Sequence, residues 1–121
     1  MSSPRELLGR LIEIPGVRIA VLVGREGLLI ESAGRGDDRL REALGALGAS
    51  ALGVTEALGA ELGAGPTAGA VLEYDDALVS VDPLGEFATV VTLAENAASL
   101  GRVRHTLRTS QAELLRLLDM R

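Results

Sequence analysis

Apolar residues recur along this chain at two periods, and the alternation between them lays out its elements. Leu7, Leu8, Leu11, Ile12 and Ile14 fall at helical spacing, with Ser3 and Pro4 as a start signal ahead of them and Pro15-Gly16 as a stop. Residues 17–23 (VRIAVLV) are β-branched and apolar at nearly every position, which predicts a strand. Residues 24–27 (GREG) make a tight connection, and residues 28–33 (LLIESA) make the hairpin partner. After a loop at 34–36, Asp37 or Asp38 caps a long helix that ends at residues 63–66 (GAGP). Three further strands follow, at 67–74 (TAGAVLEY), 77–81 (ALVSV) and 87–93 (FATVVTL), joined by turns at 75–76 and 82–86. Asn96 caps a last helix whose stripe is Leu100, Val103, Leu107, Leu114, Leu117 and Leu118.

The order is α-β-β-α-β-β-β-α, an α+β fold in a single domain spanning residues 1–121. Short turns between the last three strands predict an antiparallel meander. VRIAVLV and FATVVTL lack a polar face, so both sides of the sheet should be covered. The long helix on one face and the two terminal helices on the other would do so, giving an α/β sandwich with a five-stranded, mainly antiparallel sheet. TAGAVLEY, with Gly69 and small alanines, suits an edge.

The long helix carries two stripes. Leu40, Leu44, Leu47, Ala51, Val54, Leu58 and Leu62 form an apolar face expected to lie on the sheet. Gly45, Gly48, Leu52, Gly59 and Gly63 form another, about a third of a turn away at ~100° per residue. Each interior glycine costs a helix about 1 kcal/mol relative to alanine, which implies close approach of another backbone. Between Ala43 and Ala60 the sole ionisable residue is Glu56, so the helix lacks the charged back of one facing water. The expectation is self-association: the glycine stripe meets a second copy, and Ala70, Val71, Leu72 and Tyr74 of the edge strand pair with their counterparts around a twofold axis. A close contact between the glycine stripe and the helix's own sheet stands as the alternative.

Composition narrows the chemistry. The chain has 121 residues, 47% of them hydrophobic, enough for a core without metal or disulfides. Cysteine is absent, which excludes thiolate metal sites and cysteine nucleophiles. All twelve basic residues are arginine, so Schiff-base chemistry and the lysine of a phosphate loop are excluded too. Two aromatic residues, Tyr74 and Phe87, leave little for stacking on bases. A net charge of −5 argues against nucleic acid and anionic membranes. The N-terminal charges are too closely spaced for a signal peptide, and no apolar run reaches the ~20 residues of a membrane span, so the cytoplasm is the expected location.

Single candidates for catalysis are weak. His105 lies off the last helix's apolar stripe beside Arg104 and Arg108, with no acid or nucleophile near it in sequence. Asp75-Asp76 and Asp37-Asp38 have plainer roles as turn and cap. GREG joins strand to strand, unlike a phosphate loop. Arg102, Arg104 and Arg108 are expected on a solvated helix face. No catalytic residue, metal site or cofactor is expected, and an enzyme is the least supported class.

Several pieces together resemble the Roadblock/LC7 family, which includes roadblock-type dynein light chains and bacterial gliding regulators of the MglB type. They are Pro15-Gly16-Val17 entering the first strand, Glu26-Gly27-Leu28-Leu29 at the hairpin, the long central helix, and Leu100-Gly101-Arg102-Val103-Arg104 in the last helix. The resemblance covers nearly the whole chain. It implies a profilin-like fold, a homodimer (or a heterodimer with a similar chain) sharing a ten-stranded sheet, and work on small Ras-like GTPases. In the gliding-regulator branch it implies GTPase activation without a donated arginine finger, the regulator itself being no hydrolase. The small residues Ala46, Ala49, Gly53, Ala57 and Ala60 on the central helix are the candidate GTPase-contact surface. Two other readings remain: a passive dimeric scaffold with no GTPase partner, and a PAS- or GAF-like small-molecule sensor, which would need a roomy pocket with convergent polar groups.

Overall fold

The computed structural model describes residues 3–119. Its elements run α1 (Pro4–Ile12), β1 (Val17–Gly24), β2 (Leu29–Gly34), α2 (Asp38–Leu62), β3 (Ala70–Glu73), β4 (Leu78–Leu84), β5 (Ala88–Ala94) and α3 (Ala97–Asp119). The five strands form one antiparallel sheet in the order β2-β1-β5-β4-β3. The α+β class, the element order and the closing meander agree with the sequence.

Local chemistry sets the helix ends. The Ser3 hydroxyl accepts from the Glu6 amide at 3.1 Å, with Pro4 in the first turn of α1. Asp37 Oδ1 accepts from the Leu40 amide at 2.8 Å at the start of α2, and Asn96 Oδ1 accepts from the Ser99 amide at 2.9 Å at the start of α3. The Ser99 hydroxyl also donates to the Pro15 carbonyl at 2.6 Å, tying α3 to the turn between α1 and β1. Gly16 is required there, because it has φ +93° and a side chain would collide with Ser99.

Alternate residues of β1 feed two apolar layers. Ala20 and Leu22 pack with Leu7, Leu8 and Leu11 of α1, Val90 of β5 and Leu100, Val103 and Leu107 of α3. Ile19, Val21 and Val23 pack with Val81, Val91 and Leu52 of α2. The sheet is therefore covered on both faces, as its strands require. The side chains of Leu114, Leu117 and Leu118 lie outside the described residues.

Some strand limits differ from the expectation. β3 is four residues long instead of eight, and β4 continues through Asp82 and Pro83 to Leu84 where a turn was expected. Pairing with β3 ends at Ala70↔Val81, so beyond it β4 has a neighbour on one side only. Proline is tolerated in a strand that has become an edge. A further correction concerns α2. By length and composition it is the one described helix long and apolar enough to cross a membrane, although here it lies along the sheet.

The largest correction is the rotation of α2. Gly45, Gly48 and Leu52 are buried on the helix's own sheet. A Cβ at Gly45 would collide with Val23 Cγ1, and one at Gly48 with Val91 Cγ2. Backbone packed against valine leaves no room for a leucine row in the same place, so the leucine stripe turns away. Leu40, Leu44 and Ala51 remain half-buried at its margin. Leu47, Val54, Leu58 and Leu62 are 70%, 69%, 58% and 70% exposed. Gly63 adopts φ +62° as the C-cap, its amide donating to the Ala60 carbonyl, while the Gly59 carbonyl accepts from Ala64 at 3.0 Å. A Cβ at Gly59 would lie 3.2 Å from the Gly65 carbonyl oxygen. The close-approach reading holds for Gly45 and Gly48, with the protein's own sheet as the neighbour, while Gly59 nears the loop at Gly65 and Gly63 is an exposed cap.

Two glycine substitutions separate packing from helix propensity. Gly48→Ala should destabilise the fold by about 1–3 kcal/mol through overpacking against Val91. Gly53→Ala meets nothing within 4 Å and should stabilise it by up to about 1 kcal/mol. Thermal or urea denaturation of the two variants reads opposite shifts from wild type.

Candidate functional site

The exposed surface of α2 and the free edge of β3 lie side by side. Leu72 and Tyr74 share a shallow apolar groove with Leu40, Leu44 and Leu47 of the helix. Val71, Leu72 and Tyr74 are 46%, 36% and 60% exposed, and Ala70 is half-buried. β3 pairs with β4 on one side only, leaving the backbone donors and acceptors of its other side without a strand partner among the described residues. The groove and the helix stripe together make a continuous apolar surface of the kind monomers rarely leave open.

A row of small residues runs along another side of α2. Ala46, Gly53, Ala57 and Ala60 are exposed, while Ala49 is half-buried against the sheet. The β1–β2 turn abuts this row, since a Cβ on Gly27 would lie 3.4 Å from Ala46 Cα and 3.8 Å from Ala49 Cβ. Arg25 of that turn clamps it to the helix through Glu56, at 2.6 and 2.7 Å. Leu28, Leu29 and Ile30 follow the turn, exposed at the other end of the sheet.

The residues weighed for chemistry are held apart. His105 is exposed on α3. Asp75 and Asp76 form the β3–β4 turn, closed by the Tyr74 amide donating to the Ala77 carbonyl at 2.9 Å. Gly24 and Gly27 close the β1–β2 turn on each other. No cluster of three or more potential metal-ligating residues occurs among the described residues.

Sequence reasoning missed one site. Asp82, expected in a turn, is a buried strand residue whose Oδ1 lies 3.4 Å from Arg104 Nε on α3. Arg104 is accordingly half-buried and partnered, where a solvated residue was expected. Burial raises the Asp82 carboxyl above its ordinary value of 3.8, opposed by the Arg104 charge, the Ser80 hydroxyl and the Arg108 charge. Asp82-Pro83 reads locally as turn chemistry, and only the strand register shows otherwise.

The matching family model is that of the Roadblock/LC7 domain, over residues 5–94. This chain belongs to the Roadblock/LC7 family. Among solved structures it is similar to MglB of Myxococcus xanthus, at 21% identity and TM-score 0.82, covering 99% of this chain and all of that one, 100%. A Roadblock/LC7 domain from Streptomyces avermitilis matches at 24% identity and TM-score 0.80, covering 94% and 99%. An MglB with a tetrameric arrangement matches at 25% identity and TM-score 0.80, covering 95% and 87%. No protein of curated function is significantly similar in sequence. The Roadblock/LC7 fold accounts for the sheet order and for the long helix crossing one face.

The raised Asp82 carboxyl has a signed consequence. Between 3.8 and its folded value the native state binds more protons than the unfolded chain, so this group lowers stability as pH rises through that window. Asp82→Asn should remove this contribution, so that stability falls less, or rises more, with pH across the window than in wild type. Urea midpoints at pH 4, 5, 6 and 7 for both proteins check it.

Proposed function

We propose that two copies of this chain pair through the β3 edge and the exposed leucine stripe of α2, and that the dimer regulates a small Ras-like GTPase. The single observation that carries the first half is the coincidence of an unpaired strand edge with an uncovered apolar helix face on the same side of the molecule. A twofold axis through β3 would continue the sheet to ten strands and bring the two α2 helices together, covering both features at once. The contact comprises Ala70, Val71, Leu72 and Tyr74 of the strand with Leu47, Val54, Leu58 and Leu62 of the helix. The tetrameric arrangement of a similar MglB supports self-association.

The second half draws on Roadblock/LC7 membership and on the MglB-like neighbours. The protein acts in the cytoplasm as a non-enzymatic regulator. It activates the GTPase by shaping that protein's own site, and the hydrolytic groups stay in the partner. The row Ala46, Gly53, Ala57 and Ala60 is the GTPase-contact surface, because small side chains leave a flat platform beside the clamped β1–β2 turn. Ala49 contributes less, being half-buried against the sheet.

Two substitutions separate the two surfaces. Leu58→Arg introduces a charge into the apolar stripe and should weaken dimerisation by about 2 kcal/mol, roughly thirtyfold, read by sedimentation. Ala57→Arg should leave the dimer intact and weaken binding to a GTPase loaded with a GTP analogue. Phosphate release from each Ras-like GTPase of the same cell distinguishes the roles. Faster hydrolysis with wild type and not with Ala57→Arg makes it an activator, binding without acceleration makes it a scaffold, and no binding with either nucleotide removes the GTPase half of the reading.

A further inference from the structure

We propose that the acidic end of a second copy's β3, led by the partner's Glu73, docks against Arg104 and Arg108 of α3, so that the cleft beside the start of β3 is completed only in the dimer. This rests on the twofold pairing proposed above and adds to it a charged contact on the opposite face of the sheet from α2.

The cleft, about 250 Å³, is bounded by Thr67, Ala68, Asp82, Arg104, Arg108 and Gln111. Arg104 is turned by Asp82 toward the strand edge. Gly69, at φ +124°, leaves the room for this. A Cβ there would collide with the Val81 carbonyl oxygen, and would lie 3.1 Å from Asp82 Oδ1 and 3.4 Å from Arg104 Nη2. Arg104 is thus held within reach of whatever pairs with Gly69. Arg108, exposed one helical turn further on, lines the same cleft and makes no ion pair among the described residues. Two guanidinium groups face a single buried carboxyl, and Asp82 Oδ2 has no hydrogen-bond partner among the described residues.

The register of the strands decides what would arrive there. Ala70↔Val81 and Leu72↔Val79 lie on the α2 face, because Val79 and Val81 pack there. Val71 and Glu73 therefore point to the α3 face, as does Gly69, next to Asp82. A twofold axis perpendicular to the sheet pairs β3 with its copy antiparallel. Opposed residues in such a pair share a face, so the axis passes through a residue position and not between two. With the axis at Val71, the partner's Glu73 falls opposite Gly69. With the axis at Leu72, the partner's Glu73 falls opposite Val71, one diagonal step from Gly69, and the partner's Asp75 follows in the turn. Opposed Cα atoms in antiparallel strands are about 4.5–5.5 Å apart, and long side chains span the diagonal as well. Either axis therefore brings a carboxylate to the α3 face at the place where Arg104 is aimed.

Charge complementarity favours the same occupant. Glu73, Asp75 and Asp76 are exposed and make no hydrogen bond or ion pair through their side chains among the described residues. Three carboxylates within four residues of one edge meet two arginines at the other end of that edge, and the twofold axis repeats the contact.

Two charge-reversed chains test the contact. One carries Glu73→Arg with Asp75→Arg, the other Arg108→Glu. All three positions are exposed, and circular dichroism checks that both chains fold. Alone, the first chain sets positive charges against Arg104 and Arg108 at both contacts, and its dimer dissociation constant should rise on the order of tenfold or more over wild type, while the second keeps Arg104 opposite Glu73 and should weaken severalfold. Mixed in equal amounts, they keep the native pairing of Glu73 and Asp75 with Arg104 and Arg108 at one contact and relieve the like-charge clash at the other, so a heterodimer should form more tightly than either chain's homodimer, read by native mass spectrometry and sedimentation. Single chains that dimerise like wild type, or a mixture that dimerises no better than its components, would overturn the proposal while leaving the dimer in place. A wild-type protein monomeric at tens of micromolar would remove the dimer itself and the contact with it.

Discussion

The close approach of α2 to the sheet at Gly45 and Gly48 is the contact on which the outward face of this protein depends. Val23 and Val91 occupy the space where side chains would stand. The helix accepts a propensity cost of about 1 kcal/mol at each glycine and gains intimate packing along β1 and β5. Only Leu52 adds a large fully buried side chain to that contact. Everything else on α2 follows from this rotation. The leucines that a helix normally keeps for its core stand at the sheet margin or outside it, on the side where the sheet ends in β3.

The two faces of the sheet are consequently unequal. The face under α1 and α3 is closed by a complete apolar layer, with Leu7, Leu8 and Leu11 buried to within 1%. Its polar inclusions gather toward β4, where Ser80, Thr92 and Asp82 are buried and Arg104 reaches in from α3. The α2 face keeps its apolar surplus outside. Buried charge on one face and exposed apolar surface on the other therefore converge on the same edge of the molecule.

That convergence gathers the exposed apolar surface and the buried charge at the β3 edge. The groove beside β3 is shallow and apolar, and the cleft beneath α3 holds two arginines and a buried acid. The pairing and the GTPase contact proposed above would set helix, edge and turn each against another chain.

The sequence by itself determined the element order, the antiparallel meander, the N-caps of the three helices and the weak edge strand, because each follows from local periodicity or from a short stretch of turn and cap chemistry. It also revealed that α2 has more apolar surface than one core can use. Only the tertiary structure decided which stripe faces inward. Leucine periodicity marks an apolar face without saying what it touches, and a glycine row fits a second copy as well as the protein's own sheet until Val23 and Val91 are seen against it. Asp82 was lost for the same reason. Beside Pro83 it has the composition of a turn, and its place in β4 depends on pairing with β5 and on an arginine 22 residues away in sequence.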